Sequence, residues 1–345
     1  MTYKEMMESA RKNSDGRCKL CPVCDGKACG GVIPGCGARG TGDTFQNSYN
    51  VLQEIKILPD VIYHGHDCST ETEFFGHKLR YPIINAPILS IDGSWGYGKA
   101  DPEYAMDLLK GCKKAGILGS TGDGPNPKTF YSVEAALKET GVGIPTFKPR
   151  TLEDAKKRIE WAEANNAVAI MVDIDMLGNS ALRKMENPIH AMDMDELAAI
   201  KGMTKLPFIV RGVLTVKNSI EALQAGADAI CVTNHGGRCQ DGLPSAPEFL
   251  PAIADAIGGR IPIMVDGAVR SGVDVFRMLA LGANIVMLGR PFVHAVMGAG
   301  EDGPSILLEK IGQELLDTMY MTNAATIEDI TGDMIFWPRM GYLGK

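Results

Sequence analysis

Long apolar runs, basic blocks and an apolar leader are all missing from this chain of 345 residues. No apolar run approaches the roughly 18 residues that a membrane-spanning helix needs, so we predict no membrane span. The net charge is −7 and no block of basic residues occurs, which argues against a nucleic-acid partner. The first residues, Met1 to Glu5, lack the apolar core of a signal peptide, so the expected location is cytoplasmic.

A glycine-rich dinucleotide fingerprint is also missing. No G-x-G-x-x-G follows any predicted strand, which weakens a nicotinamide-binding Rossmann interpretation. Disorder is unsupported as well, because hydrophobic residues make up 45% and charged residues 22% of the chain, as in ordinary globular α/β proteins.

Short apolar runs alternate with amphipathic helical stretches, such as Leu152 to Asn165, from about residue 80 onward. The runs are continuous, which is typical of parallel strands buried on both faces. Eight of them with helices between predict an α/β fold of the (β/α)8 TIM barrel type, with a doubly wound open sheet as the alternative. The predicted strands lie in residues 82–86, 116–119, 144–148, 167–173, 207–211, 229–232, 262–266 and 284–288.

Two regions differ in composition along the chain. Residues 1–45 form a Cys/Gly-rich N-terminal segment, whose part 16–43 is nearly free of helical or strand periodicity. Residues 46–345 form the predicted barrel with its C-terminal helix, which begins near Ser305 and should pack against the barrel. A helix is expected at the junction, because Phe45, Tyr49, Leu52 and Ile55 have helical spacing.

The candidate active site follows from the predicted fold, because the active sites of TIM barrels lie at the carboxyl ends of the strands. Those ends belong to strands that are far apart in sequence, and a barrel brings them together. The polar residues there are Asp173, Arg211, Asn234, His235, Arg238, Asp266 and Arg290.

Two glycine-containing loops after the last two strands predict a phosphate site, which such barrels commonly form there. Gly267 and Gly289 let backbone N–H groups approach phosphate oxygens, and Arg270 and Arg290 add fork-shaped donors. The alternative is that the glycines serve tight turns and the arginines pair with surface acids.

His235 is a candidate general base, because it directly follows a strand and is bordered by glycine. Arg238 lies three residues on, and a base beside a fixed cation suits an anionic substrate. Asp173 is a candidate partner for the imidazole, with a helix N-cap or a ribose contact as the alternative.

Three motifs resemble the FMN-dependent α-hydroxy-acid oxidase and dehydrogenase family, which includes glycolate oxidase and lactate oxidase. The family's strand-six motif, Ser-Asn-His-Gly-(Ala/Gly)-Arg-Gln-Leu-Asp, corresponds to Thr233–Asp241, which reads Thr-Asn-His-Gly-Gly-Arg-Cys-Gln-Asp. Asp266–Arg270 and Gly289–Pro291 also match, in the same order and spacing. The resemblance runs from about Phe45 to Gly303 and is strongest after Leu206.

The resemblance implies the oxidation of a small 2-hydroxy acid or related anion, with hydride transfer to N5 of FMN. His235 would be the base paired with Asp173, Arg238 would bind the substrate carboxylate, and Arg211 would stabilise the reduced flavin. The resemblance also suggests a homo-oligomer, specifically a tetramer. Cofactor contacts are implied for Ala86, Pro87, Ser120, Lys148, Arg211, Asp266, Gly267, Arg270, Gly289 and Arg290.

Several departures concern the substrate side of the implied site. Arg211 stands where the family has a lysine, and Thr146–Pro149 lacks its Gln-x-Tyr. A second carboxylate-binding arginine is absent from Leu177–Ser180, and the N-terminal tyrosine has no clear match. FMN and redox chemistry are therefore better supported than any named hydroxy acid.

The cysteine-rich segment suggests a metal site. Its spacing Cys18-x2-Cys21-x2-Cys24-x4-Cys29 resembles iron–sulfur motifs, with Cys36 as a spare or substitute ligand. Closely spaced thiolates also suit structural zinc, and a metal-free loop is the third alternative. A disulfide framework is not expected in a reducing compartment.

Two other functions are compatible with a phosphate-binding barrel. One is a flavin-dependent isomerase of the isopentenyl diphosphate isomerase type, in which FMN cycles without net oxidation. The other is a non-flavin barrel that binds a sugar phosphate. For the oxidoreductase, the electron acceptor stays open among oxygen, a quinone, a protein partner and the cysteine cluster.

Overall fold

Eight parallel strands form the centre of the protein, in a computed structural model that describes residues 1–33, 35–124, 126–339 and 341–342. Each strand is buried along nearly its whole length, as the continuous apolar runs predict. The strands, numbered along the chain, are β1 Ile83–Asn85, β2 Gly119–Thr121, β3 Gly143–Phe147, β4 Ile170–Asp173, β5 Phe208–Val213, β6 Ala229–Val232, β7 Ile263–Asp266 and β8 Ile285–Leu288.

The strand order and a side-chain bridge between its two end strands give a sheet that is nearly closed as a barrel. From β2 to β8 each strand pairs in parallel with the next, and β8 pairs with β1. The side chain of Asn85 bridges β1 to β2, since its Nδ2 donates to Ser120 O at 2.7 Å and its Oδ1 accepts from Ser120 N at 2.8 Å. The predicted TIM barrel is confirmed, and the doubly wound open sheet is excluded by this order.

Strand β2 begins three residues later than predicted. Gly116 has a left-handed φ of +74° and turns the chain after the helix Asp101–Lys114. Ile117 and Leu118 are buried as the chain enters the barrel, before β2 itself. The apolar run therefore corresponds to the buried residues that lead into β2. Hydrophobic periodicity does not distinguish such residues from the strand itself.

The barrel wall has one apolar layer on its inner side and another on its outer side. Side chains alternate along each strand, so that Met171 of β4 belongs to the barrel interior while Val172 packs outward against the helices. A hairpin of Thr72–Phe74 and His77–Leu79 contributes Phe74 and Leu79 to the interior layer. This packing leaves the carboxyl ends of the strands free for polar side chains.

Helices surround the barrel as the amphipathic stretches predict. The N-terminal helix packs on Arg290–Ala299, as does the C-terminal helix Gly303–Met321, which begins close to the predicted start. The helices are Tyr3–Asn13, Asp43–Glu54, Ile91–Trp95, Asp101–Lys114, Lys128–Tyr131, Glu134–Thr140, Leu152–Ala164, Ser180–Arg183, Met194–Gly202, Val216–Gln224, Ala246–Ile257, Gly272–Ala280, Arg290–Ala299 and Gly303–Met321.

The N-terminal region combines a helix with an irregular segment. The helix Tyr3–Asn13 precedes the Cys/Gly-rich residues, which contain one short 3-10 turn, Lys27–Cys29. The predicted division between residues 45 and 46 falls inside the helix Asp43–Glu54, and it stays a prediction. Within the described ranges, every helix is too short or too polar to cross a membrane.

Candidate active site

Alternation along the strands places polar side chains at the carboxyl end of the barrel. Asp173 follows Met171 by two residues on β4, and Asp266 follows Met264 in the same way on β7. Residues two apart share a face, so both carboxylates lie above the apolar interior. Arg211 of β5 lies between them and binds both.

Arg211 is the buried centre of this polar layer. Its Nη1 donates to Asp173 Oδ1 at 2.6 Å, and its Nη2 donates to Asp266 Oδ2. Burial opposes its charge, but Asp266 and Asp173 outweigh that effect and raise the pKa of Arg211. Burial likewise opposes ionisation of Asp173, yet His235 and Arg211 lower the pKa of that carboxyl. The structure therefore holds one fixed cation between two fixed anions.

His235 sits on a tight, left-handed turn directly after β6. Its φ is 58°, and Gly236 and Gly237 continue with φ values of 60° and 78°. The His235 N–H donates to Thr233 Oγ1 at 2.7 Å, which anchors the turn to the strand end. A non-glycine residue in this region of φ is uncommon, so the turn holds the imidazole at a defined place.

Asp175 is the carboxylate nearest to the imidazole, and sequence reasoning missed it. Its Oδ1 lies 2.9 Å from His235 Nδ1, whereas Asp173 Oδ1 lies 3.5 Å away. Arg211 Nη1 is also 3.0 Å from Nδ1; because the carboxylate oxygen of Asp175 is an acceptor, we assign the Nδ1 proton to the bond with Asp175. Gly212 permits this approach, since a Cβ there would lie 2.8 Å from Asp175 Cβ.

The sequence Asp173-Ile174-Asp175 places a second aspartate just after β4, and this spacing could have identified Asp175 as a candidate partner of His235. Asp173, Asp175 and His235 also bring three potential metal ligands within 4.8 Å of one another. Arg211 donates to one of these carboxylates and borders the imidazole, so its positive charge disfavours a cation there. The arrangement suits a histidine base backed by carboxylates.

A cavity of about 190 Å³ opens above this layer. Ser120 and Asp173 are outside its lining: the Ser120 hydroxyl donates to Asn85 O in the barrel seam, and Asp173 lies beneath Arg211. The predicted residues that the structure brings together around the cavity are Ala86, Pro87, Lys148, Arg211, His235, Arg238, Asp266, Gly267, Arg270, Gly289 and Arg290.

Four cations of the lining have no carboxylate partner among the residues that the structure describes: Lys148, Arg238, Arg270 and Arg290. Lys148 Nζ donates to Asp123 O at 2.6 Å, and Arg290 Nη2 donates to Gly37 O at 3.1 Å. Burial and the nearby Arg290 lower the pKa of Arg238 to about 10. Such crowded, unneutralised cations favour a polyanionic ligand, and the alternative that the arginines pair with surface acids is unsupported.

The five cysteines of the N-terminal segment line a second, smaller cavity. Its other charged or polar lining residues are Lys19, Asp25, Arg290 and His294, and Cys18 Sγ lies 3.3 Å from His294 Nε2. His294 was not expected from the sequence, because it lies inside the helix Arg290–Ala299 without a motif. Hydrogen bonding from Cys18 lowers the pKa of Cys36 to about 6, against the opposing effect of burial.

Comparison with known proteins places these features in context. A model of the family described as FMN-dependent dehydrogenase matches residues 36–187 and 144–337. An L-lactate dehydrogenase of Pectobacterium atrosepticum is 31% identical over 85% of this chain and 89% of its own length. An L-lactate oxidase of Lactobacillus jensenii is 30% identical over 83% of this chain and 76% of its own.

A solved structure has the same architecture. Mandelate oxidase with 3,3-difluoro-2-hydroxy-3-phenylpropionic acid is 25% identical and superimposes with a TM-score of 0.74. The superposition covers 95% of this chain and 96% of the other. The likeness therefore extends over nearly the whole length of both chains.

Proposed function

The chain belongs to the FMN-dependent dehydrogenase family and is an FMN-dependent oxidoreductase, and on that premise we propose that it oxidises a small 2-hydroxy acid. The observation that carries the proposal is His235, held by Asp175 and bordered by Arg238, at the edge of a cavity rich in unneutralised cations. Family membership also supports an oxidoreductase over the isomerase and the non-flavin sugar-phosphate barrel.

The residues present fit FMN. Arg270 and Arg290 bring two guanidinium groups without carboxylate partners, within the described chain, to the lining where the phosphate is expected. Gly267 has a φ of +130°, and a Cβ built on it meets no atom within 4 Å, so its loop leaves room for a ligand. Arg211 lines the same cavity and its buried Nε has no hydrogen-bond partner, which a polar ring atom would satisfy.

FMN, when bound, supplies the acceptor for the hydride equivalent that leaves the substrate carbon. His235 would take the proton of the substrate hydroxyl on Nε2, because Nδ1 is engaged by Asp175. The carboxylates of Asp175 and Asp173, 2.9 and 3.5 Å from Nδ1, would stabilise the resulting imidazolium. Oxidation of the hydroxyl to a carbonyl thus leaves its proton on the protein.

Arg238 and Lys148 would bind the substrate carboxylate. Both line the cavity, and the hydrogen bonds of their side chains within the described residues go to backbone carbonyls, namely Gly35 and Gly37 for Arg238 and Asp123 for Lys148. A carboxylate would give these donors a charged partner. Arg211 is already neutralised by two carboxylates and would instead border the flavin.

The proposal is tested by steady-state oxidation of L-lactate, glycolate and mandelate with an artificial electron acceptor. His235→Ala should retain FMN, since His235 is not in the phosphate loops, but should lose at least about a hundredfold in kcat. His77→Ala, at an exposed position in the hairpin, is the matched control and should match the parent. Normal turnover by His235→Ala would reject the assigned base, and no FMN in the parent would reject the function.

The location of the protein, its oligomeric state and a metal site are further proposals. We propose a cytoplasmic location and a homo-oligomer, which cell fractionation and sedimentation would test. We also propose that the N-terminal cysteines bind an iron–sulfur cluster or zinc. The positions of the cysteines in the fold favour one of these two alternatives, as the next subsection argues.

A further inference from the structure

The cysteine-rich segment, residues 16–43, lies against the candidate active site. The Arg39 N–H donates to Gly237 O at 2.9 Å, on the turn that carries His235. Arg290 Nε donates to Cys36 O at 3.2 Å, and Arg270 Nε donates to Cys24 O at 3.2 Å. The arginines expected at the FMN phosphate therefore also hold the cysteine segment in place.

All five cysteines of the segment line one cavity, and none of them forms a disulfide. Leu20, Val23 and Ala28 add apolar walls. Arg290 lines this cavity and also the large one, so a single side chain borders both. Five unpaired cysteines around one cavity beside the candidate active site provide the donor set of a thiolate-ligated metal centre. The thiols that line the cavity are Cys18, Cys21, Cys24, Cys29 and Cys36.

The spacing of these thiols favours a cluster over a single zinc ion. Zinc holds thiolates at about 2.3 Å, so four sulfur ligands on one ion lie within about 4 Å of each other. In the described part of the chain, no three cysteine or histidine ligand atoms of this cavity lie within 4.8 Å of one another. An iron–sulfur core is larger and separates its thiolates further, and the C-x2-C-x2-C-x4-C run resembles cluster motifs.

Positive charge near the thiols suits a cluster that accepts electrons. Arg270 Nη2 lies 3.6 Å from Cys24 Sγ, and Arg290 belongs to the lining. A thiolate-ligated cluster is anionic, and neighbouring cations stabilise its reduced form. A metal ion with a purely structural role would need neither these neighbouring cations nor a position next to the candidate flavin site.

We propose that Cys18, Cys21, Cys24 and Cys29 bind an iron–sulfur cluster that carries electrons from the reduced flavin to an external one-electron acceptor. This inference rests on the proposed function for its electron donor. Oxidation of the substrate to the 2-keto acid delivers two electrons and releases two protons to solvent. The cluster takes the electrons one at a time, so each turnover reduces two molecules of a one-electron acceptor such as a redox protein or ferricenium dye.

The first experiment quantifies FMN, iron, acid-labile sulfide and zinc per chain after anaerobic purification. Iron and sulfide in equal amounts, with an EPR signal after dithionite reduction, are expected. Cys21→Ser should lose most of the iron, whereas Cys68→Ser, which removes a thiol outside the segment, should keep it. Zinc in place of iron, or no cluster after reconstitution with iron and sulfide, would overturn the inference.

The second experiment separates electron exit from a structural role. In Cys21→Ser, turnover with ferricenium should fall at least about tenfold, while bleaching of the flavin by L-lactate in a single turnover stays near the parent rate. Unchanged ferricenium turnover in an iron-free variant would refute the electron-transfer role. Parent protein that contains FMN but no iron would reject the cluster and leave the proposed function intact. Parent protein that contains iron but no FMN would reject the proposed function and leave the cluster without its electron donor.

Discussion

Replacing Asp175 by Asn tests how the charge near His235 is balanced. Asparagine keeps the size and an acceptor oxygen for the Nδ1 proton, so the change removes charge more than geometry. The Asp175 and Asp173 oxygens lie 2.9 and 3.5 Å from Nδ1, and the Arg211 Nη1 lies 3.0 Å from it. All three charges therefore act on an imidazolium at close range.

The magnitude follows from these distances. At an effective dielectric constant of about 20, the attractions of Asp175 and Asp173 are about 6 and about 5 kcal/mol, and the repulsion by Arg211 is about 6 kcal/mol. Without Asp175, the remaining attraction and repulsion nearly cancel, and the imidazolium loses its net stabilisation. We therefore expect kcat to fall by about 10² to 10⁴, the range that general acid–base catalysis contributes; its upper end matches the loss seen when the aspartate behind a catalytic histidine is replaced by asparagine.

The assay is the rate of anaerobic flavin reduction by L-lactate in a stopped-flow instrument, with FMN content measured in parallel. Asp255→Asn, on the exposed side of the helix Ala246–Ile257, is the matched control. The loss should fall on the limiting rate, with little change in the apparent affinity for substrate, because Asp175 acts through His235. A limiting rate within about threefold of the parent would show that Asp173 alone stabilises the base.

Two further predictions concern the cofactor and acid stability. Arg270→Ala should weaken FMN binding by about ten- to a hundredfold through loss of charge-assisted hydrogen bonds, measured by flavin fluorescence titration of apoprotein. Arg80→Ala, which removes an arginine whose partner Glu309 is exposed, is the control and should bind FMN like the parent. Unchanged FMN affinity in Arg270→Ala would show that Arg270 does not bind the phosphate. Asp173 has a lowered pKa in the folded state, so its ionisation stabilises the fold above the unfolded value of about 3.9, and that contribution is lost as the pH falls through the folded pKa. The difference in unfolding free energy between the parent and Asp173→Asn should therefore be full near about pH 6 and shrink below about pH 4. A difference independent of pH would show that Asp173 is not preferentially ionised when folded.

The barrel was predictable because each buried strand leaves a continuous apolar run, and seven of the eight runs overlap their strands closely. The second run ended where its strand began, because Gly116 to Leu118 are a buried approach to the barrel. The glycine- and arginine-containing loops after the last two strands are evident in the sequence, and their role in phosphate binding stays a prediction.

Partners that depend on packing were not predictable. Asp175 reaches His235 because Gly212, on the neighbouring strand, leaves space for it. Ser120 was expected at the flavin, yet its hydroxyl and N–H both bond to Asn85 in the seam of the barrel. A residue type and its place near a strand end do not reveal which neighbour satisfies its polar atoms.

The order of apolar runs and polar strand ends determined the barrel and the place of the candidate active site, because period and position along the chain encode them. The tertiary structure alone decided which carboxylate lies nearest His235, which cations lack a carboxylate partner among the described residues, and that the cysteines lie beside the same arginines as the candidate active site. Those facts depend on distances between residues far apart in sequence, and only the closed barrel sets such distances.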